Sequence, residues 1–322
     1  MSGPDDPGQP PGEFEQIARL YRPLTRGAPE ALGLLDDVAV IPSRPGFDLV
    51  VTKDAIVVGV HVPLDEAPDL VARKLLRTNL SDLAAKGAEP YGYFLAVAWP
   101  QGTDFALRQA FARGLEVDGA AFNLSLLGGD TVSTSGPLVA SLTLLGWVPQ
   151  GQAVLRSGAA PGDLIMVSGP IGDGGLGLAA VQGRWPDPRG YLTERYQLPA
   201  PRLDLRDRLR QWASACADIS DGLIADAAHV AKASGVRLSL DLARMPVSPA
   251  AEAWIVAQSD AAAARSALAG FGDDYELLIT AHPDAASALG LPVIGVVEAG
   301  SGVSVTFEGV PQVIGKTGWT HS

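Results

Sequence analysis

The sequence predicts an α/β protein of two domains, and three observations lead to this prediction. Apolar runs rich in Val, Ile and Leu alternate along the chain with segments of helical spacing, as in sheets covered by helices. The 322 residues are enough for two medium-sized domains. Pro149-Gln150-Gly151 marks the boundary, because proline and glycine interrupt regular structure. We predict a disordered, proline-rich tail over 1–12, a first domain over 13–150 and a second over 151–322.

The first half of the chain shows clear periodicities. Apolar residues at helical spacing predict helices over 12–21, 67–87 and 104–121. Within 34–41 the carboxylate pair Asp36-Asp37 leads into a predicted strand, and apolar runs predict further strands over 47–62 with an interruption at 52–54, 91–99, 123–127 and 138–148. Gly128-Gly129-Asp130-Thr131 follows one of these strands, and it suits either a close backbone approach to a ligand or a plain turn.

The second half repeats the alternation. Strands are predicted over 164–167, 212–217 and 236–240, and a further strand is entered from 270–279. Helices are predicted over 189–196, 203–212, after Gly222, and over 249–269. The loop Ser168–Gly177 is rich in glycine but lacks the Gly-Lys-Ser/Thr of a P-loop and the spacing of a dinucleotide fingerprint. As a nucleotide motif it is weak.

Composition excludes several classes of protein. The formal net charge of -12 argues against a nucleic-acid or anionic-membrane surface, which would need a basic patch. Cys216 is the single cysteine, so an internal disulfide and a Cys-based zinc site are excluded. Because no apolar run approaches the roughly 20 residues of a membrane helix and the N-terminus is too polar for a signal peptide, we predict a cytoplasmic protein.

The most informative stretch is Asp218-Ile219-Ser220-Asp221-Gly222, at a predicted strand-turn-helix junction. A helix cap from Ser220 or Asp221 would account for one of its polar side chains, but not for all three. Two neighbouring carboxylates repel, and a raised pKa, a basic partner or a bound cation relieves the repulsion. No Lys or Arg occurs over 218–231, so a cation is the favoured explanation.

Other acids fall beside or inside predicted strands and helices. Asp37 precedes a strand, Asp54 lies within one, and Asp273-Asp274 enters another. Buried strands tolerate such residues only where something pairs with them. Asn79 and Asp82 lie at i and i+3 on an otherwise apolar helix face, which suggests a site, although a solvated flank would give the same pattern.

Taken in order, these segments resemble the thiamine-monophosphate kinases of the aminoimidazole ribonucleotide synthetase-like superfamily, along residues 12–320. The matching segments are Gly12-Glu13-Phe14, Asp36-Asp37, Thr52-Lys53-Asp54 with Gly59-Val60-His61, Asn79–Ala85, Gly128-Gly129-Asp130, Arg156 before Gly158-Ala159, Asp218–Leu223, Asp274–Leu278 and Gly318-Trp319.

The resemblance implies an N-terminal α/β domain whose mixed sheet pairs with its twin in a homodimer, and a C-terminal α/β domain that folds over the nucleotide. It implies transfer of the γ-phosphoryl group of ATP to thiamine phosphate with several Mg²⁺ ions. No catalytic base is expected, because the attacking phosphate oxygen is already anionic near neutral pH. The implied metal residues are Asp37, Thr52, Lys53, Asp54, Asp82, Asp130, Asp218 and Asp221; the ATP residues are Gly129, Asp130, Arg156, Ser220 and Ala112; the substrate residues are His61, Asp273 and Trp319.

This sequence departs from the family pattern at four positions. Leu35 stands where a Gly usually precedes Asp-Asp, and Ala112 falls at the position of an aromatic that lies against adenine. Lys53 replaces a Thr; the change is harmless if that position binds metal through its carbonyl, and removes one ligand if it binds through a hydroxyl. Asp273 replaces a substrate-contacting Glu and has a shorter reach.

Two alternatives stay open. One is another enzyme of the same superfamily, such as an aminoimidazole ribonucleotide synthetase; relatives that depend on an N-terminal or C-terminal Cys are disfavoured because this chain has neither. The other is a catalytically silent dimer that binds nucleotide or metal, for which Lys53 and Asp273 are the arguments.

Overall fold

The computed structural model describes residues 12–313, 315 and 317–319, except for the side chain of Glu13. The predicted tail over 1–12 lies outside the described residues apart from Gly12. Two compact units are present: one comprises the described residues up to Asn79 together with Pro90–Trp147, the other Leu80–Glu89 together with the described residues from Val148 onward. These units differ from the contiguous domains predicted from the sequence, because 80–89 groups with the second unit.

In the first half of the chain, helices and strands alternate as predicted. The elements are α1 (Glu13–Gln16), β1 (Phe47–Val57), α2 (Pro68–Ala85), β2 (Glu89–Pro100), α3 (Phe105–Ala121), β3 (Ser125–Thr134) and β4 (Val139–Pro149). A π-helical turn over Ile17–Tyr21 and 3₁₀ turns over Arg22–Thr25 and Pro29–Leu34 follow α1. The four strands form one sheet in the order β1-β4-β2-β3, with β2 and β3 parallel. The three predicted helices of this half are confirmed.

Three strand predictions need correction. The strand predicted to follow Asp36-Asp37 is wrong: positive φ angles at Leu32, Gly33 and Leu34 turn the chain before it, and the segment is a loop. The predicted interruption of β1 at 52–54 is absent, since β1 is continuous there. The strand predicted to end at Leu127 continues through Gly129 to Thr134.

Gly129 explains why β3 does not end at its glycines. It pairs with Leu95 of β2, and a Cβ atom at position 129 would collide with the carbonyl oxygen of Leu95. The absence of a side chain therefore permits the ladder to continue where a larger residue would force the strands apart. The acid that follows, Asp130, is thus carried on a strand rather than on a turn.

Helices α2 and α3 are held together by a buried ion pair. The Asp118 carboxylate is fully buried and accepts hydrogen bonds from Arg73 at 3.0 Å and from Arg77 at 2.6 Å. A Cβ atom on Gly114 would collide with the backbone of Asp69, so the helices approach closely at this point. This contact holds α2, the helix on which Asn79 and the predicted metal residue Asp82 lie.

The second half of the chain forms a seven-stranded mixed sheet in the order β11-β10-β7-β9-β5-β8-β6. Its strands are β5 (Leu164–Val167), β6 (Ala215–Ile219), β7 (Arg237–Asp241), β8 (Glu276–Ala281), β9 (Val293–Glu298), β10 (Gly302–Phe307) and β11 (Val310–Pro311). Its helices are α4 (Asp173–Val181), α5 (Tyr191–Gln197), α6 (Arg206–Trp212), α7 (Leu223–Ser234), α8 (Pro249–Val256), α9 (Ala261–Ala269) and α10 (Pro283–Leu289), with a 3₁₀ turn at Leu203–Leu205.

Two boundaries in this half differ from prediction. The helix predicted over 249–269 is two helices, because Asp260 caps α9 by accepting a hydrogen bond from the Ala263 N–H. The strand predicted over 212–217 begins at Ala215 and includes Asp218 and Ile219. Within the part of the chain that the structure describes, no helix is long and apolar enough to cross a membrane.

The position of Asp218 inside β6 decides which way its side chain points. Successive residues of a strand face opposite sides, so Cys216 and Asp218 share one face of the sheet. Cys216 packs on that face in an apolar cluster that includes Ala85 at the end of α2 and Leu209 of α6. The seven-stranded sheet therefore buries Asp218 on the side where α2 ends.

Candidate functional site

Asp218 is the centre of the candidate site in the second unit. It is only 4% exposed, and burial raises the pKa of its carboxyl well above the ordinary value. The charges of Asp82 and Asp226 raise this pKa further, whereas Ser81 and Lys86 act in the opposite direction. We call Asp82, Asp218, Asp221 and Asp226 the acidic cluster, because Asp226 in turn interacts with Asp221. A buried cluster of this kind has a deficit of positive charge.

Lys86 is the basic partner that the local sequence around Asp218 lacks. It follows the end of α2, and its Nζ donates a hydrogen bond to the Cys216 carbonyl at 2.8 Å. Burial lowers the pKa of Lys86, while the nearby carboxylates of Asp218 and Asp82 favour its ammonium form. Arg156 interacts electrostatically with both Lys86 and Asp226. Although no Lys or Arg occurs over 218–231, the tertiary structure therefore supplies two basic groups, Lys86 and Arg156, that partly offset the charge of the acidic cluster.

The turn before α7 is held by Asp226. One of its carboxylate oxygens, Oδ2, accepts hydrogen bonds from the backbone N–H groups of Ser220, Asp221 and Gly222 at 3.1, 3.1 and 3.2 Å. Burial raises the pKa of Asp226 to about 7, with a further contribution from the Asp221 charge. The alternative explanation of Ser220 or Asp221 as a helix cap does not hold, because neither side chain caps α7 and Asp226 accepts the N–H groups of the turn from inside the helix.

Two other segments meet the same turn through its carbonyl oxygens. The Asp273 N–H donates to the Ser220 carbonyl at 2.8 Å, and the Trp319 N–H donates to the Asp221 carbonyl at 2.9 Å. A Cβ atom on Gly272 would lie 2.6 Å from the Ser220 oxygen, so only glycine fits there. The structure thus brings together Ser220, Asp221, Asp273 and Trp319, which are four of the residues predicted to bind metal, ATP or substrate.

The glycine-rich loop before α4 supports Asp273 instead of offering a phosphate site. The Asp274 carboxylate is 1% exposed and accepts hydrogen bonds from the N–H groups of Gly172 and Gly174 at 2.8 and 2.9 Å. A Cβ atom on Gly174 would collide with the Asp273 backbone. Because an internal carboxylate already occupies the N-terminus of α4, the weak nucleotide motif of this loop gains no support.

Asp274 makes stability depend on pH. Burial raises the pKa of its carboxyl from 3.8 to about 8, opposed by the hydrogen bonds from Gly174 and Gly172 and by the Arg195 charge. Because the folded state raises this pKa, it binds the proton more tightly than the unfolded state does. The resulting contribution to the free energy of unfolding is complete below pH 3.8 and is lost as the pH rises to about 8. Over pH 6 to 8 we expect it to lower the free energy of unfolding by up to about 2 kcal/mol.

The measurement is urea unfolding of metal-free protein at three pH values across that range. Asp274→Asn removes the titrating group, so its unfolding free energy is expected to fall less steeply with pH than that of the wild type. An equally steep fall in the variant would contradict the assignment.

In the first unit, a cavity of about 400 Å³ collects a second group of predicted residues. Asp37, Gly129 and Asp130 all line it, and Asp37 and Asp130 are exposed at its surface. The remaining lining residues are Phe14, Ile17, Tyr21, Ala31, Leu34, Leu35, Asp36, Val38, Ala39, Phe94, Leu95, Leu126, Leu127, Gly128 and Thr131. The cavity combines an apolar wall with carboxylates, as small-molecule sites commonly do. Ala112 is buried in α3 and is not among the lining residues.

Strand alternation separates the predicted ligands on β1. Asp54 and Thr52 share one face, and the Asp54 N–H donates to Oδ1 of the buried Asn79 at 3.2 Å. Lys53 faces the other way, and its Nζ donates to Ser141 Oγ at 3.0 Å. A Lys side chain has no hydroxyl and this one is engaged with Ser141, so a metal at position 53 would have to be bound by the backbone carbonyl.

His61 is oriented by the strand that precedes it. Its Nδ1 accepts a hydrogen bond from the Val57 N–H at 3.0 Å. The neutral imidazole therefore carries its proton on Nε2, which makes that atom a donor. A donor at this position suits an anionic ligand such as a phosphate.

Sequence reasoning missed two side chains that hold the site, namely Lys86 and Asp226. It singled out Asn79 and Asp274 but not the backbone hydrogen bonds that they accept. Asp226 had a detectable signal, since it falls in the first turn of the helix after Gly222. Lys86 had none, because 130 residues separate it from the Cys216 carbonyl that it contacts. His229 also belongs here, since it offers a nitrogen within 4.8 Å of the Asp221 and Asp226 oxygens.

Comparison with known proteins identifies the family of both domains. The family models for the N-terminal and C-terminal domains of AIR synthase related protein match residues 35–148 and 160–308. A thiamine-monophosphate kinase of Caulobacter vibrioides is 58% identical over 321 residues, which cover 97% of this chain and 91% of the relative.

Two solved structures extend the comparison. The thiamine-monophosphate kinase of Stenotrophomonas maltophilia is 36% identical with a TM-score of 0.80, over 94% of this chain and 98% of the other. A structure described as AaThiL complexed with AMPPCP and TMP is 28% identical with a TM-score of 0.77, over 87% and 89% of the two chains. The chain therefore belongs to the AIR synthase related protein family, in its thiamine-monophosphate kinase branch.

Proposed function

We propose that this protein transfers the γ-phosphoryl group of ATP to thiamine phosphate and so forms thiamine diphosphate. The observation that carries the proposal is the 58% identity to a thiamine-monophosphate kinase over 97% of the chain. The solved relative with AMPPCP, an analogue of ATP, and TMP gives further support. Phosphoryl transfer between two polyanions requires charge neutralisation and positioning more than covalent chemistry, and acidic side chains that bind Mg²⁺ would meet the first requirement.

The donor set of each unit fits Mg²⁺. In the second unit, burial and the charges of Asp82 and Asp226 raise the pKa of Asp218, so a dication beside it would relieve the repulsion. Carboxylate and carbonyl oxygens are the ligands that Mg²⁺ prefers. The proposed ligands are Asp82, Asp218 and Asp221 in the second unit, and Asp37, Thr52, Lys53 through its carbonyl, Asp54 and Asp130 in the first. When bound, Mg²⁺ neutralises charge on the phosphate oxygens.

The remaining residues bind and orient the two reactants. Arg156 presents a fork of N–H donors for a phosphate of ATP, and Ser220 offers a hydroxyl on the turn beside Asp221. His61 would donate from Nε2 to the phosphate of thiamine phosphate. Because that phosphate is anionic near neutral pH, its oxygen attacks without a general base. Gly129 is proposed to contact ATP from the cavity that it lines, and Ala112 is retained as a predicted ATP-binding residue.

The direct test incubates purified protein with Mg²⁺, ATP and thiamine phosphate and quantifies thiamine diphosphate by chromatography. Unphosphorylated thiamine in place of thiamine phosphate serves as the control and should give no product. Retained ATP binding without turnover would contradict the proposal and favour the catalytically silent dimer.

Trp319 is proposed to cover the organic part of thiamine phosphate. Its backbone is fixed to the Asp221 carbonyl, and its side chain is 48% exposed. An indole face attracts the cationic thiazolium by roughly 0.5–2 kcal/mol. We therefore expect Trp319→Ala to raise the KM for thiamine phosphate about 2- to 30-fold and to leave the KM for ATP nearly unchanged.

Trp212→Ala is the matched control for this measurement, because Trp212 is also partly exposed but lies at the end of α6. It should change neither KM. A Trp319 variant that affects ATP rather than thiamine phosphate would remove Trp319 from the acceptor pocket.

A homodimer is also part of the proposal. One face of β1 exposes apolar side chains, with Leu49 42% and Val51 54% exposed. Leu49 and Val51 lie on the same face of β1, and exposed apolar side chains that lie together commonly mark a protein–protein interface. Leu49→Asp combined with Val51→Asp should convert the dimer to a monomer in sedimentation experiments. A wild-type monomer at micromolar concentration would contradict this assignment.

A further inference from the structure

The Asp226 carboxylate has a role that the predicted site residues do not cover. Asp226 is 1% exposed, and its Oδ2 accepts three hydrogen bonds from consecutive backbone N–H groups, those of Ser220, Asp221 and Gly222. Consecutive N–H groups that converge on one point form an anion-binding nest, which in other proteins holds phosphate. In this protein a side chain of the same helix fills the nest.

Both the N–H groups and the carbonyl groups of the turn over 220–222 form hydrogen bonds. Its N–H groups point to Asp226, while the carbonyls of Ser220 and Asp221 accept hydrogen bonds from Asp273 and Trp319. Gly222 has a φ of +126°, a conformation that other residues avoid. Any shift of the turn would therefore displace Ser220 and Asp221 together with the two segments that hydrogen-bond to them.

A direct metal-binding role is the alternative. Asp221, Asp226 and His229 each offer one ligand atom within 4.8 Å of the others. However, a carboxylate oxygen has two lone pairs, and Oδ2 of Asp226 already serves three donors. A metal ion at that oxygen would compete with the hydrogen bonds that shape the turn.

We propose that Asp226 is a positioning residue, which fixes the turn so that the Ser220 and Asp221 side chains face their ligands while its own carboxylate excludes phosphate from the α7 N-terminus. The consequence is that phosphates reach this turn through side chains and metal rather than through backbone amides. In this proposal, the effect of Asp226 on the binding of ATP and metal rests on the proposed function.

The test compares Asp226→Asn with Asp226→Ala. An Asn side chain keeps a carbonyl oxygen that can accept from the three N–H groups, whereas Ala leaves them without a partner. We expect Asp226→Ala to lower kcat/KM for ATP by about 10- to 100-fold and Asp226→Asn by about threefold or less. An Asn variant as impaired as the Ala variant would assign Asp226 to the metal and overturn the proposal, and so would two unimpaired variants.

Two measurements do not depend on turnover. The first is amide hydrogen exchange at Ser220–Gly222 in metal-free protein, which should stay slow in Asp226→Asn and become faster in Asp226→Ala. The second is the rise in melting temperature on addition of Mg²⁺ alone, which should persist in Asp226→Asn. Fast exchange of the turn in Asp226→Asn together with normal kinetic constants would also overturn the proposal. If Asp226→Ala does not fold, the Asn variant alone decides between these outcomes.

Asp260→Ala is the matched control. Asp260 caps α9 through the same kind of side-chain-to-backbone hydrogen bond but lies outside the acidic cluster, so its loss should lower the melting temperature without changing kcat/KM. If the wild type lacked kinase activity, the proposed function would fail, whereas the exchange and melting measurements would still test the role of Asp226.

Discussion

Asp218→Asn is expected to abolish at least about 99% of kinase turnover while leaving the metal-free protein as stable as the wild type or more so. Asp218 is buried on β6, and burial together with the charges of Asp82 and Asp226 raises the pKa of its carboxyl. Ionising such a carboxyl opposes folding at neutral pH, because the charged form is disfavoured in the folded state. Asn has the same shape and no charge, so it relieves the repulsion but removes a proposed metal ligand.

The two effects of this substitution have opposite signs, which makes the prediction specific. Turnover is measured at saturating Mg²⁺ and ATP, and stability by urea unfolding in chelator. Asp163→Asn is a suitable control, since Asp163 is also buried but is satisfied by hydrogen bonds from the Ala160 N–H and the Ser214 hydroxyl at 3.0 and 2.6 Å. It should lose stability and keep its turnover number. A stable Asp218→Asn protein with normal turnover would exclude Asp218 from the metal site.

The second large effect is expected at Gly129. A Cβ atom there would collide with the Leu95 carbonyl oxygen on the adjacent strand. The backbone fixes the positions of both atoms, so no change of side-chain rotamer can relieve the collision. Gly129→Ala should therefore lower the free energy of unfolding by about 3 kcal/mol or more. Since Asp130 and Asp37 line the cavity beside this position, ATP binding should weaken as well.

Gly136→Ala provides the comparison. Gly136 follows the same strand, and the nearest atom to a Cβ there would be the Thr134 hydroxyl at 3.5 Å, an ordinary contact. Its substitution should change stability by no more than about 0.5 kcal/mol. Equal effects at both positions in urea unfolding would show that the close approach of β2 and β3 does not constrain residue 129.

Several features of the fold could be predicted because their signals are local. The apolar spacing of α2 and α3 and the strand-turn-helix order around Asp218 follow from periodicities of 3.6 and 2 residues. The strand predicted to follow Asp36-Asp37 was wrong because only local spacing supported it. Its apolar residues are typical of a strand, but the segment is a loop that follows positive φ angles at Leu32 and Leu34.

The site was predicted as a set of acids, and the structure adds the groups that orient them. Asp54 and Asn79 are 25 residues apart in the chain and hydrogen-bonded in space. Lys86 reaches the strand of Asp218 across 130 residues, so no pattern near Asp218 could have indicated it. The roles of the individual ligands remain predictions that the proposed variants test.

By itself the sequence determined the alternation of helices and strands, the acidic character of the site and the family resemblance, because each depends on residue identity and short-range spacing. Only the tertiary structure decided that Asp218 lies within a buried strand and that Lys86 and Arg156 lie near it. It also decided that Asp274, from a distant loop, occupies the N-terminus of α4, and that Asp226 occupies the N-terminus of its own helix, α7. The physical reason is that burial and hydrogen bonding between distant segments set the charge state of a carboxylate, and neither is encoded in its immediate neighbours.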